Sequence, residues 1–174
     1  MKKMSKALLV IDLQNDYFEG GAYPLWNTED ILDKVEKAIE KANQNQIPVI
    51  LIQHVSDSSK GKAAFFNEGT KGVEIHPRIL QVVGDAKIVR KAYADSFYET
   101  DLEQVLTQLG VTEILLCGMM TQNCITHTAL SKSAEKYSVK ILQDCCTTVD
   151  KMIHIIALRG IATRIPLVNY EDVL

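Results

Sequence analysis
No stretch of this 174-residue sequence stays apolar long enough to cross a bilayer, which takes about 20 consecutive apolar residues. Nor is the charge lopsided: the net is −3 with both signs interspersed, so no nucleic-acid or anionic-membrane surface is expected. Cysteines number only four (Cys117, Cys124, Cys145 and Cys146), and their spacing matches no metal-ligand pattern. Repeats, low-complexity tracts and linkers are also missing. The segment Met1 to Lys6 has charge but no signal-length apolar region and no cleavage site. Cytoplasmic residence is therefore the expectation, with all four thiols free. What remains is a globular composition, 47% apolar and 24% charged, at a length suited to one domain over 1–174.

Short apolar runs alternate with helical patterns. Lys6 to Asp12, Pro48 to His54, Lys87 to Lys91, Ile114 to Cys117, Val139 to Leu142 and Ala162 to Ile165 read as strands, the first as a central one and the run from Ile114 as fully buried. Between them, Thr28 to Asn45 places Ile31, Val35, Ala38, Ile39 and Ala42 on one helical face, with Glu29 and Asp30 suiting its N-terminal dipole. Thr100-Asp101-Leu102-Glu103 reads as a capping box opening a helix with Leu102, Val105, Leu106 and Leu109 inward, stopped by Gly110. Asp150 to Arg159 is a further helix with Gly160 as its stop, and the tail Leu167 to Leu174 is expected against the sheet edge. Periodicity fails from Val55 to Asp85, a length that suits a lid or a wall of a site. Strands and helices alternating throughout imply a doubly wound α/β parallel sheet.

In such sheets ligands bind beyond the carboxyl ends of the strands. The first strand ends in Asp12, the second in Gln53-His54 and the third in Arg90-Lys91; the fourth leads through Gly118 to Cys124. Cys124 reads as lying on the first turn of a helix, where the positive end of the dipole would lower its pKa. The competing reading is a small buried hydrophobe. Singly, Asp12 and Lys91 fit a structural ion pair. Taken with Cys124, a carboxylate to accept the thiol proton and an ammonium to balance the anion make a nucleophilic site without metal or cofactor.

These residues resemble the isochorismatase-like cysteine hydrolases over nearly the whole chain. The resemblance rests on Ile11-Asp12-Leu13-Gln14-Asn15-Asp16-Tyr17 and on Lys91 followed by Phe97 and Thr100-Asp101-Leu102. It also rests on Gly118-x-x-Thr121-x-x-Cys124, on Gly72-Val73-Glu74-Ile75-His76-Pro77 and on the Asp144-Cys145 pair. It implies a three-layer, Rossmann-like fold with a six-stranded parallel sheet, and a triad of Asp12 as general base, Lys91 as charge balance and Cys124 as nucleophile. It further implies a cis peptide at Met119–Met120, with the Met120 and Cys124 N–H groups facing an oxyanion; plain core packing is the other reading of the two methionines. The reaction implied is attack on a small-molecule amide or related C–N bond through a thioester. A homo-oligomer, dimer or larger, is the expected assembly.

Within the family, nicotinamidases carry an Asp-x-His after the second strand. Here that place reads Ile52-Gln53-His54, so no metal is expected and His54 is a wall residue. Tyr17, His54 and Phe97 are the substrate-side candidates, with Trp26, Phe65, Phe66 and Tyr93 around them; Phe97 also suits packing and Trp26 a subunit contact. His127, one helical turn from Cys124, suits solvent or an interface better than the thiol, and Cys145-Cys146 suit buried inert thiols. Two alternatives stay open: vinyl-ether hydrolysis of an isochorismate-like acid, with Lys60, Lys62, Lys71 or Arg90 for its carboxylates, and a thiol redox sensor on the same scaffold.

Overall fold
The computed structural model describes residues 5–174 and is built on one six-stranded, all-parallel sheet of order β3-β2-β1-β4-β5-β6. The strands are β1 (Lys6–Ile11), β2 (Val49–His54), β3 (Lys87–Lys91), β4 (Glu113–Met119), β5 (Ser138–Thr147) and β6 (Leu167–Val168). The helices are α1 (Thr28–Gln44), α2 (Pro77–Val83), α3 (Leu102–Gln108), α4 (Thr126–Ala129), α5 (Lys151–Ile161) and α6 (Tyr170–Val173). β1 and β4 are central, buried on both faces, which is why they read as unbroken apolar runs. Side chains alternate between the faces: Leu8 and Val10 join an apolar cluster with α1, while Ala7, Leu9 and Ile11 join a second one with α3 and α4. The chain builds outward from β1 to β3 and then returns to β4, so the topological switch lies between β1 and β4. That is where the carboxyl ends open a crevice.

Several sequence-based boundaries shift. α5 runs through Gly160 to Ile161 and the last strand is Leu167–Val168 rather than 162–165. An isolated glycine costs a helix only about 1 kcal/mol, and Ile161 and Ile165 are buried by a helix end and turn rather than by a strand. β5 is longer than its apolar core, because register slips against β4 between Leu116 and Gly118 and the polar Gln143-Asp144 pair is absorbed there. The irregular stretch 55–85 contains α2, announced by Pro77 in its first turn and ended by Gly84 at φ 67°. The Thr100 capping box does not form. Asp101 is the N-cap, Thr100 donates to the Ser96 carbonyl at 2.6 Å, and Glu103 pairs with Lys136. No described helix is long and apolar enough to cross a membrane.

Candidate active site
Each triad candidate arrives at the crevice by a different piece of backbone. Asp12 follows β1 directly and holds φ 57°, a left-handed conformation that a non-glycine residue keeps only when its surroundings fix it. Lys91 is the last residue of β3, in register with His54 of β2. Cys124 lies in a π-helical turn, Thr121–Ile125, that leads into α4. Gly118 makes this approach possible: at φ 121°, beside Ile11, any Cβ would run into the Ile11 carbonyl. The peptide Met119–Met120 that follows is cis, where the resemblance put it.

The three groups meet at one nitrogen. Lys91 Nζ lies 3.1 Å from Asp12 Oδ2, 3.2 Å from Cys124 Sγ, 3.0 Å from His54 Nδ1 and 2.9 Å from the Tyr93 carbonyl. Asp12, Lys91 and Cys124 are 0%, 3% and 1% exposed, so water screens none of these contacts. Burial opposes the Lys91 charge, but Asp12 and Cys124 outweigh it and its pKa is raised. The ammonium can only donate, so His54 Nδ1 must accept and Nε2 carries the ring proton. Burial, followed by the Lys91 charge, pushes His54 down to about 4, which keeps the imidazole neutral.

The helix-dipole expectation for Cys124 fails. Its pKa is raised, first by burial and then by the Asp12 charge, with Lys91 opposing. α4 spans only Thr126–Ala129, and the thiol sits ahead of it in the π turn, so the dipole is too small to offset desolvation. The resting site thus holds a carboxylate, an ammonium and a neutral thiol. Asp12 Oδ1 is buried with no hydrogen-bond partner, an acceptor left over once Oδ2 serves Lys91.

Aromatic rings wall the site. Tyr17 contacts Phe66 at 4.6 Å and Phe65 at 5.4 Å between centroids, and His54 lies 5.6 Å from Phe66. Tyr17 is pushed up, first by burial and then by the nearby Asp12 charge. Phe97 is a core side chain, stacked on Tyr137 in the apolar layer shared with Ile125. Trp26 is half-buried beside His154, Tyr93 is partly exposed beside Tyr98, and His127 is exposed with Nδ1 on the Asn123 carbonyl. Cys117, Cys145 and Cys146 are buried free thiols, Cys146 pushed up to about 12, chiefly by burial.

With that geometry in view, the comparisons with known proteins agree. The isochorismatase domain model matches residues 6–168. The chain belongs to the isochorismatase family. YddQ of Bacillus subtilis (strain 168), an uncharacterized isochorismatase family protein, is 37% identical over 150 residues, covering 86% of this chain and 82% of that one. Nicotinamidase 3 of Arabidopsis thaliana is 29% identical over 165 residues, covering 90% and 80%. Among solved structures, the pyrazinamidase of Pyrococcus horikoshii in complex with zinc superposes with a TM-score of 0.80 at 26% identity, covering 95% and 99%.

That zinc complex raises the question of a metal in this isochorismatase-family chain. Among the described residues, Asp12, His54 and Cys124 form one group whose donor atoms lie within 4.8 Å of one another. Lys91 Nζ is within 3.2 Å of all three side chains, so an ammonium already occupies the position of their shared cation. A divalent ion would meet that charge at close range, and these residues do not fit one.

Two contributors went unnoticed in the sequence. Gln14, fully buried, clamps the backbone of His54 from both sides: Nε2 donates to its carbonyl at 2.7 Å and Oε1 accepts from its N–H at 2.8 Å. A glutamine three residues past β1 carries no signal of that reach. The Tyr93 carbonyl, the fourth acceptor around Lys91, belongs to a backbone that sequence reading does not see.

Proposed function
We propose that this isochorismatase-family hydrolase cleaves a small-molecule amide or related C–N bond through a Cys124 thioester, without metal or cofactor. The observation that carries the reading is the convergence of carboxylate, thiol and neutral imidazole on the Lys91 ammonium. A buried neutral thiol needs its proton removed as it attacks, and Asp12 is the adjacent anion that can take it. As the Cys124 sulfur bonds to the carbonyl carbon, the thiol proton passes to Asp12 and the carbonyl oxygen becomes an oxyanion. The Met120 and Cys124 N–H groups are assigned to that oxyanion. Asp12 then protonates the leaving nitrogen, the C–N bond breaks and ammonia or an amine departs. Water attacks the thioester with its proton going to Asp12, the C–S bond breaks, and the acid and a neutral thiol are released. Lys91 stays charged throughout and offsets the anion on whichever partner holds it.

Tyr17 and His54, the latter with its Nε2 proton, are assigned to the substrate side. The aromatic walls and the neutral His54 favour an uncharged amide over the carboxylates of an isochorismate-like acid. A redox sensor would want an acidic thiol, and the Cys124 pKa is raised instead. The test is ammonia release from benzamide, nicotinamide and pyrazinamide, with and without a chelator. Release with at least one amide, indifferent to chelation and absent from Cys124→Ala, is the expected result. Release that survives Cys124→Ala or vanishes with chelator would contradict the proposal.

A further inference from the structure
The turn that carries Cys124 is an uncommon piece of backbone, and its closing bond is long. Thr121–Ile125 is a single π-helical turn in which the Met120 carbonyl accepts the Ile125 N–H at 3.3 Å and the Asn123 N–H at 3.0 Å. The helix it feeds, α4, has only four residues and lends the turn little rigidity. Cys124 nevertheless sits 3.2 Å from Lys91 at 1% exposure.

A hold from outside the turn comes from α5. Asp150, just after β5, caps this helix: its Oδ1 accepts the Ile153 N–H at 2.8 Å and its carbonyl accepts the His154 N–H at 3.2 Å. His154 is half-buried, and its Nδ1 shares a hydrogen bond of 2.8 Å with the hydroxyl of Thr121, the first residue of the turn. Thr121 is fully buried, and among the described residues His154 is the one partner of that hydroxyl. Burial lowers the His154 pKa, so at neutral pH the bond joins two uncharged groups. Gln122 is held separately, its Oε1 accepting the Thr148 hydroxyl at 2.6 Å, so loss of the His154 bond should loosen the turn without unfolding it. His154 is not among the groups bonded to Lys91; it bears on the sulfur only through Thr121, three residues ahead of Cys124.

We infer that His154 is a positioning residue, which through the Thr121 hydroxyl keeps the π turn closed and so holds the Cys124 sulfur against Lys91. The inference rests on the proposed reaction only in taking Cys124 as the reacting atom, and its test therefore reads the thiol and not turnover. Iodoacetamide labelling with tandem mass spectrometry gives separate rates for Cys124 and for Cys117, Cys145 and Cys146, which are also buried and free. A buried thiol is alkylated when the structure around it opens, so each rate reports a local stability.

His154→Phe keeps a ring and loses the bond. Its Cys124 rate should rise about fivefold, the worth of one hydrogen bond, while the other three stay near their wild-type values. His154→Asn keeps a polar group at the Nδ1 position and should bring the Cys124 rate back to about that of wild type. Thr121→Val removes the hydroxyl from the other end and should match His154→Phe, and the double variant should be no faster than either alone. Should His154→Phe not fold, Thr121→Val carries the same expectation. Equal acceleration of all four thiols would mark a merely structural role and overturn the inference. So would an unchanged Cys124 rate, failure of His154→Asn to restore it, or no label on Cys124 in any variant. Ammonia release judges the hydrolysis reading separately.

Discussion
At the scale of single residues, the site is a balance of charges around Lys91. Removing the ammonium leaves the Asp12 charge buried and unpaired, so Lys91→Met should cost about 3–5 kcal/mol of stability. Asp12→Asn with Lys91→Met should cost less than Lys91→Met alone, and chemical denaturation of the two measures the coupling. Asp12→Asn by itself separates two roles. It removes the anion that raises the thiol and leaves Lys91 to lower it, so iodoacetamide should label Cys124 faster than in wild type. Hydrolysis should nevertheless fall by about 10²–10⁴, the usual contribution of a general base.

His54 supplies a pH dependence. Its folded pKa, about 4, lies below the ordinary 6.5. The unfolded chain therefore binds the extra proton first as pH falls, and stability drops between pH 6.5 and 4. The loss is on the order of 3 kcal/mol, and thermal melts of wild type against His54→Gln over that window should show it in wild type alone.

At the scale of elements, the carboxyl ends of β1, β3 and β4 do the assembling, and Gly118 sets how closely two of them approach. Gly118→Ala would place a methyl group against the Ile11 carbonyl and force φ 121° on alanine. A loss of about 3 kcal/mol is expected, together with reduced turnover, because both Asp12 and the Met119–Met120 turn hang from that contact. Circular dichroism melts alongside ammonia release check both effects.

Legibility also divides at this scale. The strand ending in Asp12 was readable because a buried parallel strand is apolar and its first polar residue marks the edge, whereas β3 is an edge strand with only Val89 and Lys91 buried and showed itself only as a short run. α2 was hidden because seven residues with two buried side chains, Ile79 and Val83, leave too short a period to see. The sixth strand was misplaced because Ala162 to Ile165 is a short stretch set off by Gly160 and Pro166, while the true pair, Leu167-Val168, is defined only by its pairing with Ile141 and Leu142.

At the scale of the whole molecule, the sheet order fixes the chemistry's location. Asp12 and Cys124 follow neighbouring strands that are more than 100 positions apart, and Lys91 reaches in from the sheet edge. The three members of the proposed triad were legible in the sequence, as was the turn that carries the thiol. The protonation state was not, because it depends on the desolvation of Cys124 and on Asp12 beside it, which only the packed structure displays. Nor were the Gln14 clamp on His54 and the His154 hold on Thr121, contacts of 40 and 33 positions in span.

The covalent intermediate is the central claim, and intact-protein mass spectrometry during incubation with small amides tests it most directly. A transient acyl mass on wild type, mapped to Cys124 and absent from Cys124→Ala, is the predicted result. Ammonia release with no acyl mass under conditions that trap thioesters would contradict it.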